Sequence, residues 1–151
     1  MAQDFTKGGD TEVVWGGSRG LSVQQLTIDC TKTPLTASEV CAAFKVGKNT
    51  WVDRIVAIDH VVEGSAGNID VGDGSDVDGY LVDFNINSLG ATASTLALTE
   101  GTPNTITGYS GGKFYTAADT IDFIPSINMT KGKFSLVMFA VLLDADLGTN
   151  A

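Results

Sequence analysis

From Leu21 onward the chain is cut into short apolar segments bounded by turn residues: LSVQQLTID, EVCAAFKV, TWVDRIVAIDHVVE, NIDVG, YLVDFNI, STLALT, GKFYTA, TIDFIPSI and KFSLVMFAVLL. Strands at this spacing predict an all-β sandwich or barrel. Composition agrees, because 18 glycines and a charged fraction of only 18% suit strands and turns better than helices. At 151 residues the chain fits one domain large enough to fold without a disulfide or metal. Pro125, inside TIDFIPSI, has no N–H to give a ladder and predicts an edge or bulge position.

One stretch competes with this reading. TASE at 36–39 fits the capping box that opens helices, and VCAAFK after it can supply a helical face. Val40, Ala42, Phe44 and Val46 also alternate, and VGKNTW reads as a turn between two strands, so strand is favoured.

Residues 1–20 carry KGGD and WGGSRG without sustained periodicity and predict an arm, leaving 21–151 as the sandwich domain. Phe5 and Trp15 are large aromatics for such a segment and need a surface to cover, on their own domain or on a neighbour. TEVVW can pair with an exposed strand edge. Phe5, Val13, Val14 and Trp15 are therefore the candidate interface residues.

A formal charge of −9 argues against phosphate backbones and anionic lipid as partners. The start of the chain lacks the basic and apolar regions of a secretory signal, so synthesis in a cytoplasm is expected. FSLVMFAVLL, at 134–143, is about half the ~20 residues a membrane helix needs and reads as a buried strand. Cys30 and Cys41 form no C-x-x-C pattern and are expected as buried free thiols.

The stretch NIDVGDGSDVDGYL concentrates Asp70, Asp73, Asp76 and Asp78 among Gly72, Gly74 and Gly79. A calcium loop aligns best with Gly74 at the first position, but the first and twelfth ligands are then Gly74 and Asn85, and the flanks alternate as strands. An irregular calcium site stays open at this point, beside a tight turn built on Asx geometry. Catalysis finds weak support. His60 is the sole histidine and sits in a strand beside Ile58 and Val62, and a carboxylate pair in a solvated loop lacks the burial that raises a pKa. GYSGGKF fails the phosphate-loop pattern, and the NMT sequon at Asn128 has no secretory route. No catalytic residue, metal ligand or cofactor is assigned.

Taken together, AAFKVGKNTWVDRIVAID, GNIDVGDGSDVDGYL, LTEGTPNTITGYSGGKFYTAADTIDF and GKFSLVMFAVLL resemble virion structural proteins of tailed bacteriophages, over roughly residues 35–143. The resemblance implies a jelly-roll-like antiparallel two-sheet sandwich and a non-enzymatic cement, or decoration, protein. Such a protein would sit on the outer capsid surface, bind the major capsid protein and form a homotrimer. A tail or fibre component is the close alternative. A calcium-dependent carbohydrate-binding module, with Trp51 and Tyr80 as its aromatic platform, is the distant one. Gly47 stands where relatives often carry proline, which only loosens a turn. On this reading the aspartate stretch is architecture: Gly72 and Gly79 supply positive φ, and the aspartates tie backbone donors so that strands can change sheet.

Overall fold

The computed structural model describes residues 3–6, 11–16, 21–93, 109 and 112–143. Among them there is no helix, and every paired strand is antiparallel. The strands are β1 (Thr11–Gly16), β2 (Leu21–Asp29), β3 (Cys41–Val46), β4 (Thr50–Val61), β5 (Asn68–Gly72), β6 (Leu81–Asn85), β7 (Gly90–Ala93), β8 (Lys113–Tyr115), β9 (Asp119–Pro125) and β10 (Lys133–Leu142). One sheet has six strands in the order β1-β2-β10-β4-β7, with β8 also on β4; the other has four, β3-β9-β5-β6. From β3 to β5 each strand lies in the sheet opposite its predecessor. That alternation follows from strands with one apolar face each, which must meet across a shared core.

The inner layer is made by the buried members of each alternating segment. Leu26 and Ile28 come from β2, Val52, Ile55 and Ala57 from β4, and Phe134, Leu136 and Met138 from β10. They meet Phe44 and Val46 of β3, Ile69 and Val71 of β5, Leu81 and Phe84 of β6, and Ile121 and Phe123 of β9. Phe123 is the hinge of the two layers, packing edge-on against Phe134 at 5.7 Å between ring centres. Burial of one such ring contributes about 1.5 to 3 kcal/mol.

The segment that competed for helix is strand β3, but not with simple alternation. Its pairing with β9 shifts between Ala42 and Phe44, so Cys41, Ala43, Phe44 and Val46 are all buried while Val40 stays 43% exposed. A bulge of this kind lets two neighbouring residues face inward. The VGKNTW turn joins β3 to β4 with Asn49 in the left-handed region at φ 62°. Pro125 lies in an interior strand, not an edge one, since β9 is flanked by β3 and β5. It is tolerated because it is the last residue of β9, beyond the last β3 partner, and its carbonyl accepts from the Ser38 N–H at 2.7 Å. The expected STLALT strand, residues 94–99, lies outside the described residues.

Two contacts staple the loops at one end. Leu35 and Met129 exchange backbone hydrogen bonds of 2.9 and 3.0 Å between the β2–β3 and β9–β10 connections. Beneath them, buried Glu63 accepts from the N–H groups of Thr130 (2.9 Å), Lys131 (3.0 Å) and Gly132 (2.5 Å). Burial alone would raise the Glu63 pKa, and these three donors outweigh it and lower it. Cys30 and Cys41 are buried and free, with burial pushing their thiols up to about 12 and about 11.

Candidate functional site

The aspartate stretch is a hairpin loop between β5 and β6, which pair within the same sheet, so no strand changes sheet here. Gly72 and Gly79 act by close approach and not by positive φ. A Cβ on Gly72 would lie 2.0 Å from the Asp76 carbonyl oxygen, and one on Gly79 would lie 2.4 Å from the Tyr109 ring. The positive-φ glycines among the described residues are Gly64, Gly90 and Gly112. At Gly112, with φ +90°, a Cβ would also meet the Trp51 ring and the Val52 carbonyl, each at 2.7 Å.

The aspartates divide sharply. Asp73 is buried, and its Oδ1 accepts from the N–H of Ser75 (2.9 Å), the N–H of Asp76 (3.1 Å) and the hydroxyl of Tyr109 (2.9 Å). Its Oδ2 accepts from Lys113 Nζ at 2.6 Å and from the Tyr115 hydroxyl at 2.7 Å, and Tyr80 lies 2.8 Å from Tyr115. Burial would raise this carboxyl's pKa, but the bonds from Lys113, Tyr115, Ser75 and Tyr109 prevail and hold it at about 2. The Lys113 ammonium rests between the rings of Tyr109 and Tyr115, at 4.3 and 4.8 Å from their centres. Because β8 belongs to the six-stranded sheet and β5–β6 to the other, this network ties the layers together at the hairpin end. Lys113 comes from the segment that failed as a phosphate loop; its work here is an ion pair.

Asp70, Asp76 and Asp78 remain toward solvent, Asp70 accepting from the Asp83 N–H at 2.8 Å. Among the described residues no group of three or more His, Cys, Asp or Glu side chains is placed to hold a metal ion. Tyr80 is buried in the Asp73 network, so it cannot form a sugar platform with Trp51. A polar cleft of about 750 Å³ opens beside Asn68, Asp83, Asn85, Asn87 and Ser126. Its groups largely bond one another, as in Gly64 N–H to Asn87 (2.7 Å) and Asn68 N–H to Ser126 (2.9 Å).

His60 is an exposed strand residue whose Nε2 lies 2.8 Å from Ser135 Oγ, itself 2.7 Å from Thr27 Oγ1. This row crosses β4, β10 and β2 on the outer sheet face, with Ser135 buried at its centre, and the adjacent Asp59 is buried on the opposite side, where it cannot orient the imidazole.

The described parts of residues 1–20 are held to both sheets by main-chain pairing. The Phe5 N–H donates to the Ala42 carbonyl (2.9 Å) and the Ala42 N–H to the Gln3 carbonyl (3.0 Å), while β1 pairs with β2. Phe5, expected at an interface, is 7% exposed and packs on Phe123 at 5.7 Å, inside its own core. A neighbouring apolar ring was already within reach, so no second subunit is needed to cover it. Val13, Val14 and Trp15 lie on β1, the edge of the six-stranded sheet, with Trp15 in register with Val23.

The two outer faces differ in chemistry. On the four-stranded sheet, Asp70, Asp83 and Asp122 lie outward with Asp4 beside Ala42, Asp76 and Asp78 at the rim, and Lys45 as the described cation. These carboxylates sense one another: burial and then Asp119, Asp73 and Asp4 raise the Asp122 pKa against a Thr120 hydrogen bond, and Asp76 raises that of Asp78. On the six-stranded sheet, Phe114, Trp51 and Val141 are in register across β8, β4 and β10, as are Val56 and Val137 across β4 and β10. The Arg54 guanidinium lies over the Phe139 ring, 4.5 Å from its centre. No sequence pattern reveals this face, because the row exists only once three distant segments are aligned.

No family model matches this chain, and no curated protein matches it. Solved structures do. The fold is similar to a chain of the capsid of Ralstonia phage GP4, with TM-score 0.59 and 10% identity, over 89% of this chain and 93% of that one. It is also similar to chains of the cyanophage Pam1 capsid asymmetric unit and of the acid-stable capsid of Helicobacter pylori bacteriophage KHP30. Each of these gives TM-score 0.56 at 10% identity, over 87% of this chain and 93% of that one. At this identity the likeness is one of fold, and it spans nearly the whole of each chain.

Proposed function

We propose that this chain is a non-enzymatic cement protein that binds the outer surface of a tailed-phage head as a homotrimer and stabilises its lattice of major capsid protein. The observation that carries the reading is the whole-chain likeness to chains of three phage capsids, with over nine-tenths of each neighbour matched. The matched chains are thus about as long as this one, which fits an accessory sandwich. The strand sets β2-β10-β4-β7 and β3-β9-β5-β6 support reading that sandwich as a jelly roll.

The physical role follows from mass action. A protein that binds only the assembled lattice adds its binding free energy to what rupture must overcome. A rigid body bridging several coat subunits serves best, since little ordering entropy is lost on binding. The Asp73 network and the Glu63 staple supply that rigidity at two loop clusters. Val13, Val14 and Trp15, on an edge strand, are the N-terminal residues proposed to reach the coat or a neighbouring subunit.

The test is to add the purified chain to expanded heads lacking it and image the particles. Ordered density on the head's outer surface, with heads that resist heating better, is the expected result. Density confined to the tail would replace this reading by the tail or fibre one.

A further inference from the structure

We propose that the outer face of the six-stranded sheet is the self-association surface of this protein, covered by a second copy of the chain. The proposal deepens the cement reading by naming the face that a trimer turns toward its axis.

The first argument is composition. Trp51, Phe114, Phe139, Val141, Val137 and Val56 are all at least partly exposed on this face, Phe114 at 41%. They are contiguous in register across β8, β4 and β10. Interface centres are enriched in aromatic residues and Arg and poor in Lys and Glu, and here Arg54 stacks on Phe139 at the middle of the face. Monomers rarely leave so continuous an apolar patch to water.

The second argument is charge, and it selects the occupant. The chain carries −9, so two copies repel unless the surfaces that meet are near neutral. Among the described side chains of the six-stranded face, Arg54 and Lys133 balance Asp53 and Asp29, with Lys133 in register with Asp29. The four-stranded face, carrying Asp4, Asp70, Asp83 and Asp122, would oppose a copy of itself. Of the two outer faces, the apolar one is the one that another copy can approach.

The third argument is area. Strands about 4.8 Å apart and rising about 3.3 Å per residue, over five strands and the length of β10, give a face on the order of 800 Å². One partner's share of a stable interface is also about 800 Å².

The experiment uses the full chain without heads, so that its outcome is separable from decoration. Sedimentation of the wild type at micromolar concentration should show a trimer. Val137→Glu, a charge at the centre of the face, should weaken association at least 100-fold with an unchanged near-UV circular dichroism spectrum. Asp122→Lys on the opposite face should leave association intact. Should Val137→Glu not fold, carbene footprinting of the wild type decides: Trp51, Phe114 and Phe139 should be labelled strongly when dilute and protected when associated. A wild type monomeric at about 100 µM would overturn the proposal, as would an oligomer indifferent to Val137→Glu, or protection on the Asp122 face. In each of these cases head binding, measured separately, still decides whether the chain decorates heads, and a monomeric wild type removes only the homotrimer from that reading.

Discussion

Asp73 and Asp59 are both buried carboxyls in strand-rich surroundings, yet they are handled in opposite ways. Asp73 receives two backbone N–H groups, two tyrosine hydroxyls and an ammonium, and its pKa falls to about 2. Asp59, 4% exposed, has an Oδ2 without a hydrogen-bond partner among the described residues, and burial raises its pKa against weaker help from His60 and the backbone at Ser88 and Val61. Burial is the largest influence on both. The sign of the outcome is set by how many donors the fold delivers, which is why a hairpin loop full of aspartates yields one anchor and several solvated neighbours.

The contrast can be broken most forcefully at Asp73. Asp73→Ala removes the acceptor shared by Lys113, Tyr109 and Tyr115 and should cost about 3 to 5 kcal/mol, read as a lowered midpoint in urea unfolding. Gly72→Ala tests the close approach around the same loop. Its Cβ would collide with the Asp76 backbone, and a loss of about 1 to 3 kcal/mol is expected. Tyr115→Phe deletes one donor of five and should cost about 1 kcal/mol. Asp59→Asn should have the smallest effect, neutral to slightly stabilising at pH 7, because it removes a charge that its site does not pair.

Acid sharpens the same comparison. A carboxyl with a depressed folded pKa contributes stability above its unfolded value and loses it as pH falls through the folded one. Asp73 should therefore give up about 2 kcal/mol between pH 4 and pH 2. Asp59 has a raised folded pKa, so its penalty is present at neutral pH and is relieved as pH falls through that value. The full chain should hold or gain stability on mild acidification and then lose it steeply toward pH 2. In Asp59→Asn the early gain should shrink, and a profile unchanged by this substitution would remove Asp59 from the account.

The two outer faces carry the comparison into function. A solvated acidic face keeps a −9 chain soluble, whereas an apolar face balanced in charge favours association. The cement role proposed above would use both, one toward water and one toward its own kind.

Much of the strand plan was legible because alternation encodes burial directly. LSVQQLTID and NIDVG coincide with β2 and β5, while β4 and β10 fall inside their segments, since a one-residue slip would turn Leu26, Ile28, Ile55, Ile69, Phe134 and Leu136 to water. The sequence could not say which aspartate would be buried. Asp70, Asp73, Asp76 and Asp78 are chemically alike, and only the docking of Lys113 and Tyr115, some forty positions away, chooses Asp73. Nor could it assign glycine roles: Gly72 and Gly79 read as positive-φ residues, but the packing of Val77 and Tyr109 against them set the constraint. Phe5 had two surfaces open to it, and the position of Phe123 settled the choice. By itself the sequence determined what local periodicity can encode: strand identity, the apolar face of each strand, and a turn-rich all-β class. Tertiary structure decided sheet order, and with it the Asp73 network and the apolar outer face, because those depend on side chains brought together from segments far apart in the chain.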